Sequence, residues 1–476
     1  MAQKSLKKLS IKGALWSLAE NLSTQSLGFV IGIILARLLS PSDYGTVGVL
    51  VIFLSVANVF VDCGFATGLI RKADRTEDDL STAFYFNIFV GVVAYLILFL
   101  ISPIVASFFK MPILVVLLRV LALCIVFNSI SLIQNTILTA TLNIKIQAKI
   151  NVTTQLLMGC LGIYFAYQGF GVWTLVIQQV GSSFLKCIAL WIIGGWRPKS
   201  KWNEDSFRYL FNYGWKLLGA NLIGTTFEQI HGFFIGRSLG AAELGLFTKA
   251  KELSSKPSHI ITNVIGRVVL PILAEVRGNT DKIRDVYAKM IRLSSFVSFL
   301  LFGILFVIAR PLIIIIWTEK WLDTANLFQL FCISAAFGGV SQLGLTLLQL
   351  LNRTDLTLKF EFIKKPVTLM LLLLALPFGL WMITLSAVVA SLFCAIVNIY
   401  ATKKLLKYGY ITQLKDMLPH GLLSLIIGII IYNTTHLVTS NWLCMIFSTI
   451  AYSLSYFFFT YIFRFPVLKD ISLLRK

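Results

Sequence analysis

The feature that most constrains this chain is a series of long, uninterrupted apolar segments. Runs such as 90–101, 369–376 and 422–431 lie inside stretches long enough to cross about 30 Å of hydrocarbon as α-helices. Because only 13% of the 476 residues are charged and 57% are hydrophobic, the chain cannot build a water-facing surface of ordinary polarity. The runs are continuous, whereas the strands of a membrane β-barrel alternate between polar and apolar residues. The sequence therefore predicts an all-α integral membrane protein.

The apolar segments predict about fourteen transmembrane helices joined by mostly short loops. We place these helices at 13–37, 44–70, 81–109, 113–140, 149–168, 171–194, 213–237, 244–274, 288–316, 323–351, 364–380, 381–402, 417–437 and 441–463. The N-terminal residues 1–12 are basic and lack a small-residue cleavage site, so we expect a cytoplasmic stub there rather than a removable signal.

The basic residues are distributed unevenly over the loops. The chain has 42 Lys and Arg against 21 Asp and Glu, a net charge of +21. If successive helices alternate in direction, one side of the membrane holds most of the loop cations, and the other side holds only Arg37, Lys110, Arg237 and Lys320. This asymmetry predicts a multi-pass protein of the bacterial plasma (inner) membrane with both termini in the cytoplasm. The excess charge also favours contact with anionic membrane lipids, and it does not indicate a nucleic-acid-binding protein.

The sequence repeats itself at an offset of 200 residues. An R-x-L-x(3)-[DE]-x-G block runs from 37 to 45 and again from 237 to 245, and the pair Asn21 and Leu22 matches Asn221 and Leu222. Chance similarity between apolar helices is the alternative, but the polar matches cluster in one block. Both copies begin on the same side of the membrane, which makes the repeat parallel.

The repeat predicts the domain organisation. Two pseudo-symmetric bundles of six helices are expected, an N-terminal lobe at 1–200 and a second lobe at 201–402. Two more helices and a cytoplasmic tail follow at 403–476. Transporters built from such halves bind their substrate at the interface between the halves.

The predicted span 244–274 is the most polar of the chain. At 100° per residue, six of its polar residues fall on one helical face and extend over roughly 18 residues, about 27 Å. A charge that faced lipid would cost from ~3 to more than ~10 kcal/mol, so this face should line water or protein. The face consists of Lys249, Glu252, Lys256, His259, Asn263 and Arg267.

This face predicts a cationic cavity for an anionic cargo, such as a diphosphate that links a sugar to a lipid. In the alternative interpretation, Lys249 and Arg267 extend to opposite membrane surfaces and Glu252 pairs with Lys256. The substrate-binding candidates are Lys186, Lys249, Lys256, His259 and Arg267, with Glu252 and Asn263 as polar lining.

Carboxylates within other spans are candidates for ion coupling. Intramembrane acidic residues are rare and often bind the coupled proton or cation in transporters, although simple ion pairing is the alternative. The candidates are Glu20, Asp62 and Glu228, for a gradient of H⁺ or Na⁺. Further polar cavity lining is predicted at Asn21, Thr24, Asn221 and Thr225.

Several kinds of chemistry are not indicated. The sequence has no G-x(4)-G-K-[ST] phosphate loop, so ATP hydrolysis by this chain is not expected. No catalytic motif appears, and the outward loops are too short for an external catalytic domain. The seven cysteines stand singly in apolar segments, which predicts neither disulfides nor a metal site. We therefore expect a protein that is not an enzyme and has no cofactor.

Six segments together resemble the Wzx-type polysaccharide exporters, lipid-linked oligosaccharide flippases of the multidrug/oligosaccharidyl-lipid/polysaccharide exporter superfamily. The similarity covers nearly the whole chain, is more specific before residue 360 than after it, and is strongest to the colanic-acid-type branch. The segments are 38–45, 60–65, 73–87, 245–247, 266–273 and 319–321.

The resemblance implies alternating access around a cationic central cavity and an ion gradient as the energy source. The implied cargo is an oligosaccharide linked to undecaprenyl diphosphate, delivered to the outer leaflet, with a polysaccharide polymerase and a chain-length regulator as partners. A peptidoglycan-precursor flippase and a cation-coupled multidrug exporter of the same superfamily are the alternatives. A membrane glycosyltransferase would need large outward loops, which are absent.

Overall fold

The computed structural model describes residues 2–72, 74–275, 280–351, 353–406, 408–435 and 440–474, and all regular structure in these ranges is helical. This confirms the all-α prediction. In chain order the α-helices are α1 (Ala2–Leu38), α2 (Pro41–Asp62), α3 (Phe65–Arg71), α4 (Glu77–Phe109), α5 (Leu114–Leu121), α6 (Leu123–Ala140), α7 (Ile144–Tyr167), α8 (Val172–Ile193), α9 (Glu204–Ser238), α10 (Ala241–Glu275), α11 (Thr280–Val307), α12 (Ala309–Trp317), α13 (Asp323–Leu350), α14 (Thr354–Ala375), α15 (Gly379–Leu406), α16 (Tyr410–Thr435), α17 (Asn441–Ile462) and α18 (Val467–Leu474).

Eleven helical segments among the described residues are long and apolar enough to cross a membrane. One of them, 359–400, contains most of α14, the turn after it and most of α15. The polar helices α9 and α10, at the seventh and eighth predicted spans, are not among the eleven. The chain is therefore a multi-pass membrane protein, and the count of fourteen crossings stays a prediction.

Polar residues fix the starts of two long helices in the first part of the chain. The Ser40 backbone donates to the Asp43 carboxylate at 2.9 Å, and the Asp43 backbone donates to the Ser40 hydroxyl at 3.2 Å. Thr76 and Asp79 form the same capping box at the start of α4. Such a box satisfies N–H groups that the first helical turn leaves without helical partners. The Lys72 ammonium lies 2.7 Å from Asp79, and this hydrogen bond raises the pKa of Lys72.

The helices form two compact units, unit 1 at 1–245 and unit 2 at 246–476. Unit 1 contains α1 to α9 and the first turn of α10, and in it α9 packs against α2, α3 and α4. The seventh predicted helix thus lies with the first six. The lobe limits at residues 200 and 402 were set by sequence similarity rather than by packing, and they stay a prediction.

The offset of the sequence repeat reappears in the helix boundaries. α1 ends at Leu38 and α9 at Ser238, while α2 begins at Pro41 and α10 at Ala241. Both copies therefore place a helix end and a new helix start at matched positions.

Within unit 1 the first turns of α2 and α10 meet at two matched glycines. A Cβ atom at Gly45 would lie 1.6 Å from the carbonyl oxygen of Ala241. A Cβ atom at Gly245 would lie 1.9 Å from the carbonyl oxygen of Pro41. Because these are backbone atoms, no side-chain rotation can relieve the overlap, and only glycine permits so close an approach. We call this contact the glycine crossing.

The connection that joins the two repeats is attached to the start of α4. The Trp196 indole donates to the Glu77 carboxylate at 3.1 Å, and the Lys199 backbone donates to the same carboxylate at 3.2 Å. Closer to α9, the Asn203 backbone donates to the Thr82 hydroxyl at 3.0 Å. These bonds fix the start of α9 in unit 1.

In unit 2 a core of α11, α13 and α16 residues includes Tyr287, Leu343 and Met417. At one end of this core, Arg292 donates to Asp470 at 2.7 Å and to Asp416 at 3.3 Å. The guanidinium thus joins α11 to α16 and to the short α18. Two carboxylates around one guanidinium compensate its charge, which makes its partial burial tolerable.

Candidate functional site

The polar face of α10 contains a triad of alternating charges in unit 2. The Glu252 carboxylate accepts from the Lys249 ammonium at 3.1 Å and from the Lys256 ammonium at 2.7 Å. The spacings of three and four residues put all three groups on one side of the helix. Lys249 is buried, with 7% of its surface exposed, whereas the side chains of Glu252 and Lys256 are 42% and 38% exposed. We call these residues the α10 triad.

An aromatic group covers the buried end of the α10 triad. The Lys249 ammonium lies 5.8 Å from the centre of the Trp317 ring, at the end of α12. A cation above an aromatic face is stabilised by the negative face of the ring, by more when water is excluded. Trp317 is itself buried and packs against Trp321. The two open members of the triad are therefore the ones able to meet a cargo.

The remaining predictions for the α10 face have mixed outcomes. The ion pair between Glu252 and Lys256 is present, as the alternative interpretation expected. His259 is exposed. Asn263 and Arg267 lie outside the described side chains. A cargo-binding role for the whole face stays a prediction.

A second polar cluster joins α1, α7 and α8 in unit 1. The Glu20 carboxylate accepts from the Asn151 amide at 2.6 Å, and Gln155 donates to the Thr24 carbonyl at 3.0 Å. Lys186 on α8 lies within electrostatic range of Glu20. The structure thus brings together three residues that the sequence analysis had assigned separate roles, Glu20, Thr24 and Lys186.

The other candidates lie elsewhere in unit 1. Asn21 is exposed on α1, and on α9 Asn221 and Glu228 are exposed and Thr225 is half-buried. Asp62 is the last residue of α2, and its Oδ1 atom is buried without a hydrogen-bond partner in the described part of the chain. The three proposed coupling carboxylates therefore lie on three different helices, and their role stays a prediction.

Sequence reasoning missed several partners of these groups. Asn151 and Gln155 were not singled out, although their spacing of four residues in an apolar helix places both amides on one face. No sequence pattern indicated Trp317 as a partner of Lys249, because the two residues are far apart in the chain and meet only in the folded protein. The predicted span that contains Lys364 and Lys365 begins at residue 364, whereas α14 begins at Thr354.

Unit 2 also contains an apolar cavity of about 620 Å³ between α11, α13 and α16. Its walls are mainly aromatic and aliphatic, and its polar groups are few. Representative lining residues are Phe299, Phe302, Phe337, Leu418, Leu422 and Leu425. Its volume suits part of a long hydrocarbon chain rather than a hydrophilic solute.

The fold is similar to those of solved membrane transporters. The Lipid II flippase MurJ in an inward closed conformation aligns with a TM-score of 0.76 at 15% identity, over 94% of this chain and 98% of that one. An inward-facing multidrug resistance MATE family transporter of the MOP superfamily aligns with a TM-score of 0.62 at 13% identity, over 80% of this chain and 94% of that one. The chain therefore has the fold of these polytopic membrane proteins.

The sequence profile of a family described as polysaccharide biosynthesis protein matches residues 34–326, and the chain belongs to this family. Among its relatives is the teichuronic acid biosynthesis protein TuaB of Bacillus subtilis (strain 168). TuaB is 26% identical over 332 residues, which are 69% of this chain and 68% of TuaB. These findings confirm the resemblance on which the sequence analysis relied.

Proposed function

We propose that the protein is a secondary transporter that flips a lipid-diphosphate-linked oligosaccharide from the cytoplasmic to the outer leaflet. It would do so by alternating access, for the biosynthesis of a surface polysaccharide. The observation that carries this proposal is the α10 triad, in a chain that belongs to a polysaccharide biosynthesis family and has a transporter fold.

The physical requirement supports this assignment. A diphosphate can cross about 30 Å of hydrocarbon only if the protein supplies polar partners along the way. The α10 triad has two ammonium groups and only one carboxylate, and the Lys256 side chain is 38% exposed. The Glu252 carboxylate holds both cations in place when cargo is absent, and a phosphate would take over one of these contacts. The apolar cavity of unit 2 supplies a surface for the lipid portion.

Energy coupling is assigned to the unit 1 cluster. Among the coupling candidates we assign this role to Glu20, which accepts a hydrogen bond from Asn151 at 2.6 Å and lies within electrostatic range of Lys186. We place the protein in the bacterial plasma membrane with both termini in the cytoplasm, on the charge asymmetry of the loops. A polysaccharide polymerase and a chain-length regulator would act on the flipped product.

Two related functions compete with this one. A peptidoglycan-precursor flippase is favoured by the TM-score of 0.76 with MurJ, while the family match and TuaB favour polysaccharide synthesis. A multidrug exporter is less well supported, because the MATE transporter covers 80% of this chain against 94% for MurJ. Complementation of a strain depleted of its own Lipid II flippase would identify the first competitor.

The test is export by a deletion strain that expresses Lys249→Gln, Lys256→Gln or both. Loss of a charge-assisted contact of ~1.5–3 kcal/mol should lower surface polysaccharide about tenfold or more in the double variant. Undecaprenyl-diphosphate-linked oligosaccharide should accumulate inside the cell. The matched control is Lys251→Gln, two residues after Lys249 and on a different face of α10. Full export by the double variant, at equal protein level in the membrane, would exclude the charge-binding role.

A further inference from the structure

α14 in unit 2 contains a second triad of one carboxylate and two ammonium groups. The Glu361 carboxylate accepts from the Lys364 ammonium at 3.2 Å and from the Lys365 ammonium at 3.3 Å. As in the α10 triad, one carboxylate bridges two ammonium groups at helical spacings of three and four residues. The Lys364 ammonium also lies 6.0 Å from the Phe360 ring, as Lys249 lies near Trp317. We call these three charged residues the α14 triad.

The α14 triad lies well inside the helix. At 1.5 Å per residue, the three residues lie roughly 10 to 17 Å from the start of α14 at Thr354, and all three fall within the candidate membrane span 359–400. Charges within a membrane span are tolerated only where they face water or protein.

The opposite face of α14 is the one that meets lipid. Phe362, Ile363 and Met370 are 71%, 51% and 56% exposed. At 100° per residue Ile363 and Met370 lie opposite Glu361, and Phe362 lies opposite Lys364. Lys364 is only 4% exposed. The Lys364 side chain therefore points into the interior of unit 2.

The α14 triad is only partly enclosed by protein. The side chains of Glu361 and Lys365 are 37% and 27% exposed. Cys394, on the adjacent α15, lies within electrostatic range of all three charged groups and is half-buried. A small ligand or reagent in the interior can therefore reach the α14 triad, and the Cys394 thiol is positioned to report on it.

We propose that the α14 triad is a second binding site for an anionic group of the cargo, a phosphate or the carboxylate of an acidic sugar. This inference rests on the proposed function. In the absence of cargo, Glu361 holds the two ammonium groups side by side. A bound anion takes the place of Glu361 next to Lys365, while Lys364 stays paired and covered by Phe360. The excess of ammonium over carboxylate selects anions over cations.

The experiment measures the accessibility of Cys394. In a variant with the other six cysteines changed to alanine, the rate at which a membrane-impermeant methanethiosulfonate labels Cys394 is followed in lipid nanodiscs. Four probes are added separately: undecaprenyl diphosphate with undecaprenol as its neutral counterpart, and glucuronic acid with glucose as its neutral counterpart. We expect labelling in the absence of probe and at least a fivefold slower rate with an anionic probe. Protection by undecaprenyl diphosphate assigns a phosphate, and protection by glucuronic acid assigns a sugar carboxylate.

Variants connect this protection to the α14 triad. Lys364→Gln combined with Lys365→Gln should abolish protection, and Lys364→Arg combined with Lys365→Arg should keep it. The matched control is Lys359→Gln, an exposed lysine on the opposite side of the same helix, which should leave protection unchanged. Absence of labelling, equal protection by the neutral probes, or protection that survives the double Gln variant would each overturn the inference.

Failure of this inference can be told apart from failure of the proposed function. If the α14 double Gln variant exports normally while the α10 double variant does not, the flippase assignment stands and the second site is rejected. If the deletion strain has unaltered surface polysaccharide, the proposed function itself is rejected.

Discussion

α2 and α10 occupy matched positions in the repeat, yet the residues beyond their first turns differ in chemistry. Both begin three residues after the end of the preceding helix, α1 or α9, and both place a glycine at the glycine crossing. Where α10 has Lys249 and Glu252, α2 has Val49 and Ile52, which are 0% and 7% exposed. The starts of the two helices are thus alike, and only α10 has charged groups at the positions that follow.

The comparison separates the residues that build the scaffold from those that give it chemistry. Helix starts and the glycine crossing recur because both copies need the same backbone path. The buried face of α2 packs as an ordinary apolar core, which stabilises unit 1 by excluding lipid and water. The matched face of α10 instead offers two ammonium groups and one carboxylate to the interior. Substitutions at the glycine crossing, and substitutions that give α2 the charges of α10, test whether these two groups of residues have separate roles.

The largest effect is expected from a side chain at the glycine crossing. Gly45→Ala or Gly245→Ala would place a methyl group inside the van der Waals radius of a backbone oxygen, at a cost of more than ~3 kcal/mol. We expect at least a tenfold lower level of folded protein, measured by fluorescence-detection size-exclusion chromatography. The matched glycines Gly32 and Gly232 serve as controls, because their alanine variants meet no atom closer than 3.6 Å. Equal yields for all four variants would refute the contact.

The next effect comes from moving a charge of α10 onto α2. Val49→Lys buries an ammonium at a position with 0% exposure and should destabilise unit 1 by about 3–5 kcal/mol. Adding Ile52→Glu restores the spacing of the pair between Lys249 and Glu252, and should recover part of this loss. Thermal unfolding in detergent measures both. If Val49→Lys unfolds like the wild type, the α2 face is not the packed core described above.

A smaller effect is expected from removing the bridging carboxylate of the α10 triad. Glu252→Gln keeps the size of the side chain but replaces two charge-assisted bonds by weaker ones, a loss of ~1.5–3 kcal/mol. Export should fall about tenfold, because Lys249 and Lys256 are no longer held together. Glu243→Gln, near the start of the same helix, is the control. Wild-type export by Glu252→Gln would show that the carboxylate is not needed to organise the lysines.

The smallest effect is expected in the polar cluster of unit 1. Asn151→Ala removes the hydrogen bond to Glu20, whose half-buried carboxylate keeps access to water, so the loss should be about 1 kcal/mol. The melting temperature should fall by a few degrees. Gln147→Ala, one turn earlier on α7, is the comparison, because its amide contacts Asn135 and Thr139 instead. A loss for Asn151→Ala as large as that for Val49→Lys would mean that unit 1 depends on this cluster.

The sequence predicted those features that depend on neighbouring residues. The pairing of Glu252 with Lys256 follows from helical spacing alone, and the apolar runs identify the helices because hydrocarbon leaves few alternatives. The partner of Glu20 was not predictable, because Asn151 is 131 residues away in the chain. The predicted span starts at residue 364, ten residues after the start of α14 at Thr354, because the charged residues before 364 lower the hydropathy of that segment. Only packing shows that Lys364 points inward.

The glycine crossing is a contact between matched positions of the sequence repeat. Two identical half-length chains related by a two-fold axis would make the same contact, with each glycine facing its own counterpart. In the single chain, an alanine at either position forces the same two helix starts apart. A second alanine at the other position should therefore destabilise the protein less than the first, so that the two glycines behave as a single site.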